Sequence, residues 1–224
     1  MSRRSVGHGV LRIAVAGAAV VAIAYQLARL QGHPSFGGVG NFFSFFTIQS
    51  NLLAATMLSL SALVRRAERS LPFEAARGAA TLYIVITGAV FALLLSGLQE
   101  QLDTHDPFVN AVVHYVVPAA AVLDWFVEPP RQRIPWRLVV AWLVYPLAWF
   151  AYTLVRGSVR HWYPYPFVDV ARHGYGGVFL RAFAFLAAFL AGALLFGLLT
   201  SRRQRRAGNV PLHGRTPRRT LGAR

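Results

Sequence analysis

Six apolar stretches constrain this chain more than any other feature. They run approximately 10–30, 42–64, 78–99, 108–127, 136–155 and 178–200. Each reaches or approaches the roughly 20 residues that a helix needs to cross a bilayer. Inside hydrocarbon every backbone N–H and C=O must be satisfied, which an isolated apolar segment does by becoming a helix. The expected fold class is therefore all-α: a polytopic membrane protein built as a bundle of six transmembrane helices. Only 14% of the 224 residues are charged, against about 25% in a typical soluble domain. The segments between the stretches are too short for a separate soluble domain. We expect a single transmembrane domain over residues 1–200. A basic tail over 201–224 is expected to be disordered and to rest near anionic headgroups.

All 23 basic residues are arginine, and the formal net charge is +15. That excess suggests nucleic acid until its distribution is read. Eighteen arginines fall in the N-terminal segment, the second-to-third and fourth-to-fifth connections and the tail, and only five fall on the other side. Arginine marks cytoplasmic loops. Both termini are thus expected in the cytoplasm, in a multi-pass protein of the cytoplasmic membrane without a nucleic-acid partner. Ser2-Arg3-Arg4 is read as the cytoplasmic anchor of the first helix rather than an export signal. The absence of cysteine excludes disulfides and thiolate chemistry.

Polar residues inside a span are costly and tend to mark functional sites. Two groups stand out. Thr47-Ile48-Gln49-Ser50-Asn51 opens the second stretch, and His114 lies in the fourth. Thr47 and Asn51 are one helical turn apart, as are Asn110, His114 and Pro118. With 1.5 Å of rise per residue, Thr47 and His114 lie roughly 8–9 Å below the same end of their helices, at matching depth. A hydroxyl beside an imidazole is a nucleophile–base pair. Asn110 or Asp169 is a candidate to orient the histidine, and Gln49, Ser50 or Asn51 to donate to an oxyanion. The competing reading is that these groups only tie helices together by hydrogen bonds.

Other features are read more plainly. Asp106-Pro107 is expected to start a helix, the carboxylate capping it and proline taking the first position. Pro146 is expected to kink the fifth helix. Asp124, near the inner end of the fourth, is expected to pair with Arg131 or Arg137. Asp103, His105 and Asp106 read as a solvated acidic loop, and no metal or cofactor is called for. His161-Trp-Tyr-Pro-Tyr-Pro-Phe167 reads as an interfacial aromatic belt, or as a cap over the outer mouth of the bundle. A bis-histidine haem, a zinc-protease motif, a serine-hydrolase elbow and nucleotide-binding glycine patterns are absent.

Phe46-Thr47 and Asn110-x-x-x-His114-x-x-x-Pro118 resemble segments of the androgen-induced membrane hydrolases. The resemblance implies a multi-helix membrane fold and hydrolysis of fatty acid esters of hydroxy fatty acids, with Thr47 as nucleophile and His114 as base. The whole chain is also similar to a bacterial, largely actinobacterial, family of six-helix membrane proteins. That similarity rests on the Phe-Thr-x-Gln-Ser-Asn motif, the segment from His114 to Asp124-Trp125 and the Tyr-Pro-Tyr-Pro-Phe loop, and it implies no reaction. The expected function is an intramembrane hydrolase of lipid esters. The alternatives are a non-enzymatic binder or carrier of a lipid or isoprenoid in the same cavity, and a purely structural partner in a membrane complex.

Overall fold

A computed structural model describes residues 3–31, 37–97 and 106–208, with side chains described from residue 6 to residue 201. All regular structure among them is helical, and six helices are long and apolar enough to cross a membrane. They are α1 (Arg3–Leu30), α2 (Phe46–Leu63), α3 (Leu71–Leu95), α4 (Pro107–Val127), α5 (Trp136–Arg160) and α6 (Val170–Gly208). The third and sixth begin about two turns earlier than their apolar runs. Ser70, which accepts from the Phe73 N–H, supplies a side-chain cap that lets α3 start among polar residues. Helix α6 continues to Gly208, into the arginine-rich segment, and is interrupted by a non-helical Gly174. Asp103 and His105 lie outside the described residues.

Helix α1 packs along α2, α2 along α3, and α3 against α4 and α6. On α1 the buried apolar residues are Val15, Ala16, Ala19, Ala22 and Ile23, a helical stripe whose alanines let α2 approach closely. Large side chains such as Leu93, Leu180 and Phe183 remain exposed on the outside. Unbroken apolar exposure on that scale marks an interaction with membrane or protein; with six such helices, it is the form of a multi-pass membrane protein.

Both proline expectations hold in detail. Asp106 caps α4, its carboxylate accepting from the Val109 N–H at 3.0 Å, with Pro107 next. Arg29 of α1 adds an ion pair at 2.8 Å. The capping N–H and Arg29 together hold the Asp106 carboxyl below its usual range. Helix α5 breaks between Ala141 and Val144. Proline at 146 has no N–H for the carbonyl of Trp142, and Tyr83 of α3 donates to that oxygen at 2.7 Å.

The pairing expected for Asp124 is corrected. Its partners are Arg12 of α1 at 2.6 Å, Arg77 of α3 at 3.1 Å and His8 at 2.9 Å. Arg131 instead donates to the Ala67 carbonyl. Arg12 also reaches Glu128, which Arg69 meets at 3.0 Å, and Arg77 meets Glu74 at 2.8 Å. Three arginines thus face three carboxylates in a buried network at the N-terminal end of the bundle, joining α1, α3, α4 and the loop before α3. Burial alone would raise the Glu128 carboxyl, but Arg12 and Arg69 outweigh it and hold it below the ordinary range. The single-residue reading failed because proximity in sequence favours Arg131, whereas burial favours charges brought in by other helices.

Candidate functional site

The site is organised around a fault in α4. Over Val112–Val116 the helix is π-helical, with the Val117 N–H returning to the Val112 carbonyl. In that register the Val113 carbonyl would accept from residue 118, and Pro118 has no N–H. Asn51 of α2 supplies the missing donor: its Nδ2 gives hydrogen bonds to the Val113 carbonyl at 3.1 Å and to the Thr47 carbonyl at 2.9 Å. One side chain therefore joins the Thr47 turn to the His114 turn. Helix α3 comes close because Gly88 has no side chain there. A Cβ at Gly88 would lie 2.8 Å from the His114 carbonyl oxygen and 3.2 Å from the Pro118 ring.

A second π-helical turn, Phe91–Leu95, ends α3 beside the first. It brings the Phe91 ring flat against His114, centroids 3.7 Å apart and 6° from parallel. His114 is buried, and its Nδ1 has no hydrogen-bond partner.

Thr47 lies in the first turn of α2, where backbone N–H groups lack helical partners. The phenol oxygen of Tyr165 accepts the Thr47 N–H at 3.1 Å and lies 3.1 Å from the Thr47 hydroxyl. Tyr165 descends from the aromatic loop. It is stacked on Phe167 at 5.1 Å and packed edge-on against Phe45 at 5.4 Å. Burial pushes its phenol up to about 12, so it stays protonated across the physiological range.

Thr47, Asn110, His114 and Asp169 line one cavity of about 440 Å³, at the end of the bundle remote from the N-terminus, with the aromatic loop forming one wall. No hydrogen bond joins Thr47 to His114; the hydroxyl's partner is Tyr165. Asp169 accepts from the Ala171 N–H at 2.9 Å and pairs with Arg172 at 3.2 Å. The other three polar residues are engaged between helices. Gln49 accepts from Tyr145 and donates to the Phe43 carbonyl, Ser50 meets Thr87 at 2.9 Å, and Asn51 bridges as above. None of the three lines the cavity.

A second cavity of about 500 Å³ lies between α3, α5 and α6. Phe46, Phe150, Phe167, Phe185 and Phe189 are among its lining residues. The two cavities share Thr47, Leu95 and Tyr165, so the Thr47–Tyr165 pair is part of the wall between a chamber of mixed polar and apolar lining and an almost wholly apolar one. Sequence reasoning missed Tyr165 and Phe91. The proline pairs beside Tyr165 and the proline one turn after His114 were the available signals of irregular backbone.

No protein-family model, no curated protein and no solved structure matches this chain.

Proposed function

We propose that this chain is a multi-pass protein of the cytoplasmic membrane, with both termini inside, that hydrolyses a lipid ester using Thr47 as nucleophile and His114 as general base. The observation that carries the reading is the shared cavity: a hydroxyl and a buried imidazole line one chamber, and the hydroxyl also borders an apolar chamber. The resemblance of both motifs to the androgen-induced membrane hydrolases supports the same roles.

In the step proposed, the Thr47 oxygen attacks the ester carbonyl while His114 takes its proton. Collapse of the tetrahedral intermediate breaks the bond to the alcohol, which leaves with the proton from His114. Water, deprotonated by His114, then attacks the acyl carbon, and the acid is released as the bond to Thr47 breaks and His114 returns the proton to the Thr47 oxygen. Tyr165 supports this chemistry. When it donates to the Thr47 oxygen, the threonine proton is left for the base. Before transfer, Thr47 turns toward His114 or shares a water with it, since apo contacts of this kind often tighten only with substrate.

A second reading is a lipid-binding protein without chemistry. It is favoured by the engagement of Thr47 with Tyr165 and by the lack of a group that orients His114 through Nδ1. A fluorophosphonate probe separates the two. Hydrolysis predicts labelling that disappears in both Thr47→Ala and His114→Ala while each variant keeps its melting temperature within a few degrees. Labelling that survives Thr47→Ala removes that residue as nucleophile; no labelling together with co-purified lipid favours the binder.

A further inference from the structure

We infer that Phe91 is the positioning residue of the proposed base: its ring fixes the plane of the His114 imidazole and stabilises the imidazolium that forms when His114 takes the proton of Thr47. This rests on the hydrolase reading for the proton transfer, and on the geometry of the two rings for the rest.

A histidine that acts as a base usually has a third group hydrogen-bonded to its far nitrogen. That group orients the ring and balances the positive charge that arrives with the proton. His114 lacks one. Its Nδ1 is buried without a partner, so the Thr47 proton is taken on Nε2 and nothing at Nδ1 balances the charge. Among the described residues, Asp169 is the carboxylate that lines the cavity, and it is held by the Ala171 N–H and Arg172. Uncompensated charge in an apolar setting is costly. The base needs another partner, and a phenyl face lies against it.

The stack is unlike an ordinary pair of aromatic rings. Neutral rings disfavour lying squarely face to face, because each presents a negative face. They settle offset or edge-on, with centroids about 4.5–7 Å apart. Phe91 and His114 are 3.7 Å apart and 6° from parallel, so one ring lies almost squarely over the other. That geometry suits a cation, whose charge is drawn to the negative face of the phenyl ring. The contact therefore strengthens as His114 becomes charged. An interaction stronger in the transition state than before it is the kind that raises the rate.

Local structure holds Phe91 in place. It is buried. The π-helical turn Phe91–Leu95 begins at this residue, and Tyr115 of α4 packs edge-on against it at 5.9 Å. Gly88, about one turn earlier, lets the backbone of α3 reach that of His114. A ring held on these sides has little freedom, and the imidazole stacked on it shares that order.

The test uses the full chain in lipid nanodiscs, with Phe91 replaced in turn by 4-fluoro-, 3,5-difluoro- and 3,4,5-trifluorophenylalanine. Fluorine drains the face of the ring and barely alters its shape. The rate of fluorophosphonate labelling at Thr47 is expected to fall with each fluorine, its logarithm in equal steps, to roughly 10–30-fold below wild type for the trifluoro ring. The melting temperature is expected to stay within a few degrees. The same series at Phe126, which is on α4 and lines neither cavity, leaves the rate unchanged. Phe91→Leu keeps apolar bulk, loses the face and is expected to label at least as slowly as the trifluoro protein. With ¹³C-labelled histidine, the His114 ring signal is identified by its loss in His114→Gln. It is expected upfield of the other histidines, shielded by the stacked ring, and to move back toward them in Phe91→Leu. A flat fluorine series, with labelling that still disappears in Thr47→Ala and His114→Ala, overturns the positioning role and leaves the hydrolase. A His114 signal that Phe91→Leu does not move has the same consequence. A wild type that is never labelled removes the hydrolase and the positioning role with it.

Discussion

Tyr165 is the residue whose role the structure changes most. Its phenol sits 3.1 Å from both the backbone N–H and the hydroxyl of Thr47, so it caps a helix and touches the proposed nucleophile at once. Replacing one such donor at a reacting oxygen costs about 10²–10³ in turnover where it stabilises developing charge. Tyr165→Phe is therefore expected to lower kcat strongly with little change in KM, because the ring packing on Phe167 and Phe45 survives. A fall in melting temperature without a fall in kcat would leave it as a cap only. The raised phenol also fixes a pH dependence. An ordinary tyrosine ionises near 10, and this one near 12, so between those values the unfolded chain has lost a proton the folded chain keeps. Stability contributed by the neutral phenol is full below pH 10 and declines as pH rises toward 12. Melting curves of the wild type should fall more steeply over that window than those of Tyr165→Phe.

At the scale of elements, the site depends on irregular helices. A second π-helical turn packs against the one that holds His114, and the carbonyls left bare by Pro118 and Pro146 are taken up by side chains of neighbouring helices. Asn51 serves Val113, and Tyr83 serves Trp142. Hydrogen bonds of this kind between membrane helices contribute about 0.6–2 kcal/mol, and Asn51→Ala is expected to cost that much in a thermal or denaturant titration. It should also weaken fluorophosphonate labelling, because it unties the Thr47 turn from the His114 turn; Leu58→Ala, a buried truncation expected to destabilise at least as much, should not. Gly88→Ala tests the close approach of α3 and α4. Its Cβ would press on backbone at His114, which no rotamer change relieves. Overpacking of about 1–3 kcal/mol is expected, read as a lowered melting temperature. An unchanged one would mean the two helices part freely.

At the scale of the molecule, the two ends of the bundle differ in kind. One end holds two chambers and an aromatic loop; the other holds three arginines paired with three carboxylates. Removing one member of a buried pair leaves an uncompensated charge and costs about 3–5 kcal/mol. Arg77→Met should be destabilised by that order. The double variant Arg77→Met, Asp124→Leu should recover part of the loss, since both charges leave together. If the double variant is no better than the single, the two residues are not energetically coupled. The absence of cysteine makes orientation directly testable. With both termini inside, a cysteine at Ser158 should react with an impermeant maleimide in intact cells, and one at Ala67 only after lysis. The reverse pattern would invert the proposed topology.

Length and polarity alone determined that the chain forms six long apolar helices, because a segment of about 20 apolar residues has one way to satisfy its backbone in hydrocarbon. Local chemistry determined the Asp106 cap and the place where α5 breaks, since a carboxylate before proline and a proline inside a helix act within one turn. The polar cluster at Thr47–Asn51 and the lone His114 were legible as anomalies for the same reason. What they do in the fold was decided elsewhere. Asn51 turns to α4 because Pro118 leaves a carbonyl bare. Asp124 pairs with Arg12 and Arg77 because helices distant in sequence are packed side by side. Thr47 meets Tyr165, 118 residues away, because the aromatic loop folds back over the end of α2. Such choices depend on which helix faces which, and a hydrophobic pattern says only that a face is buried, not what lies across from it.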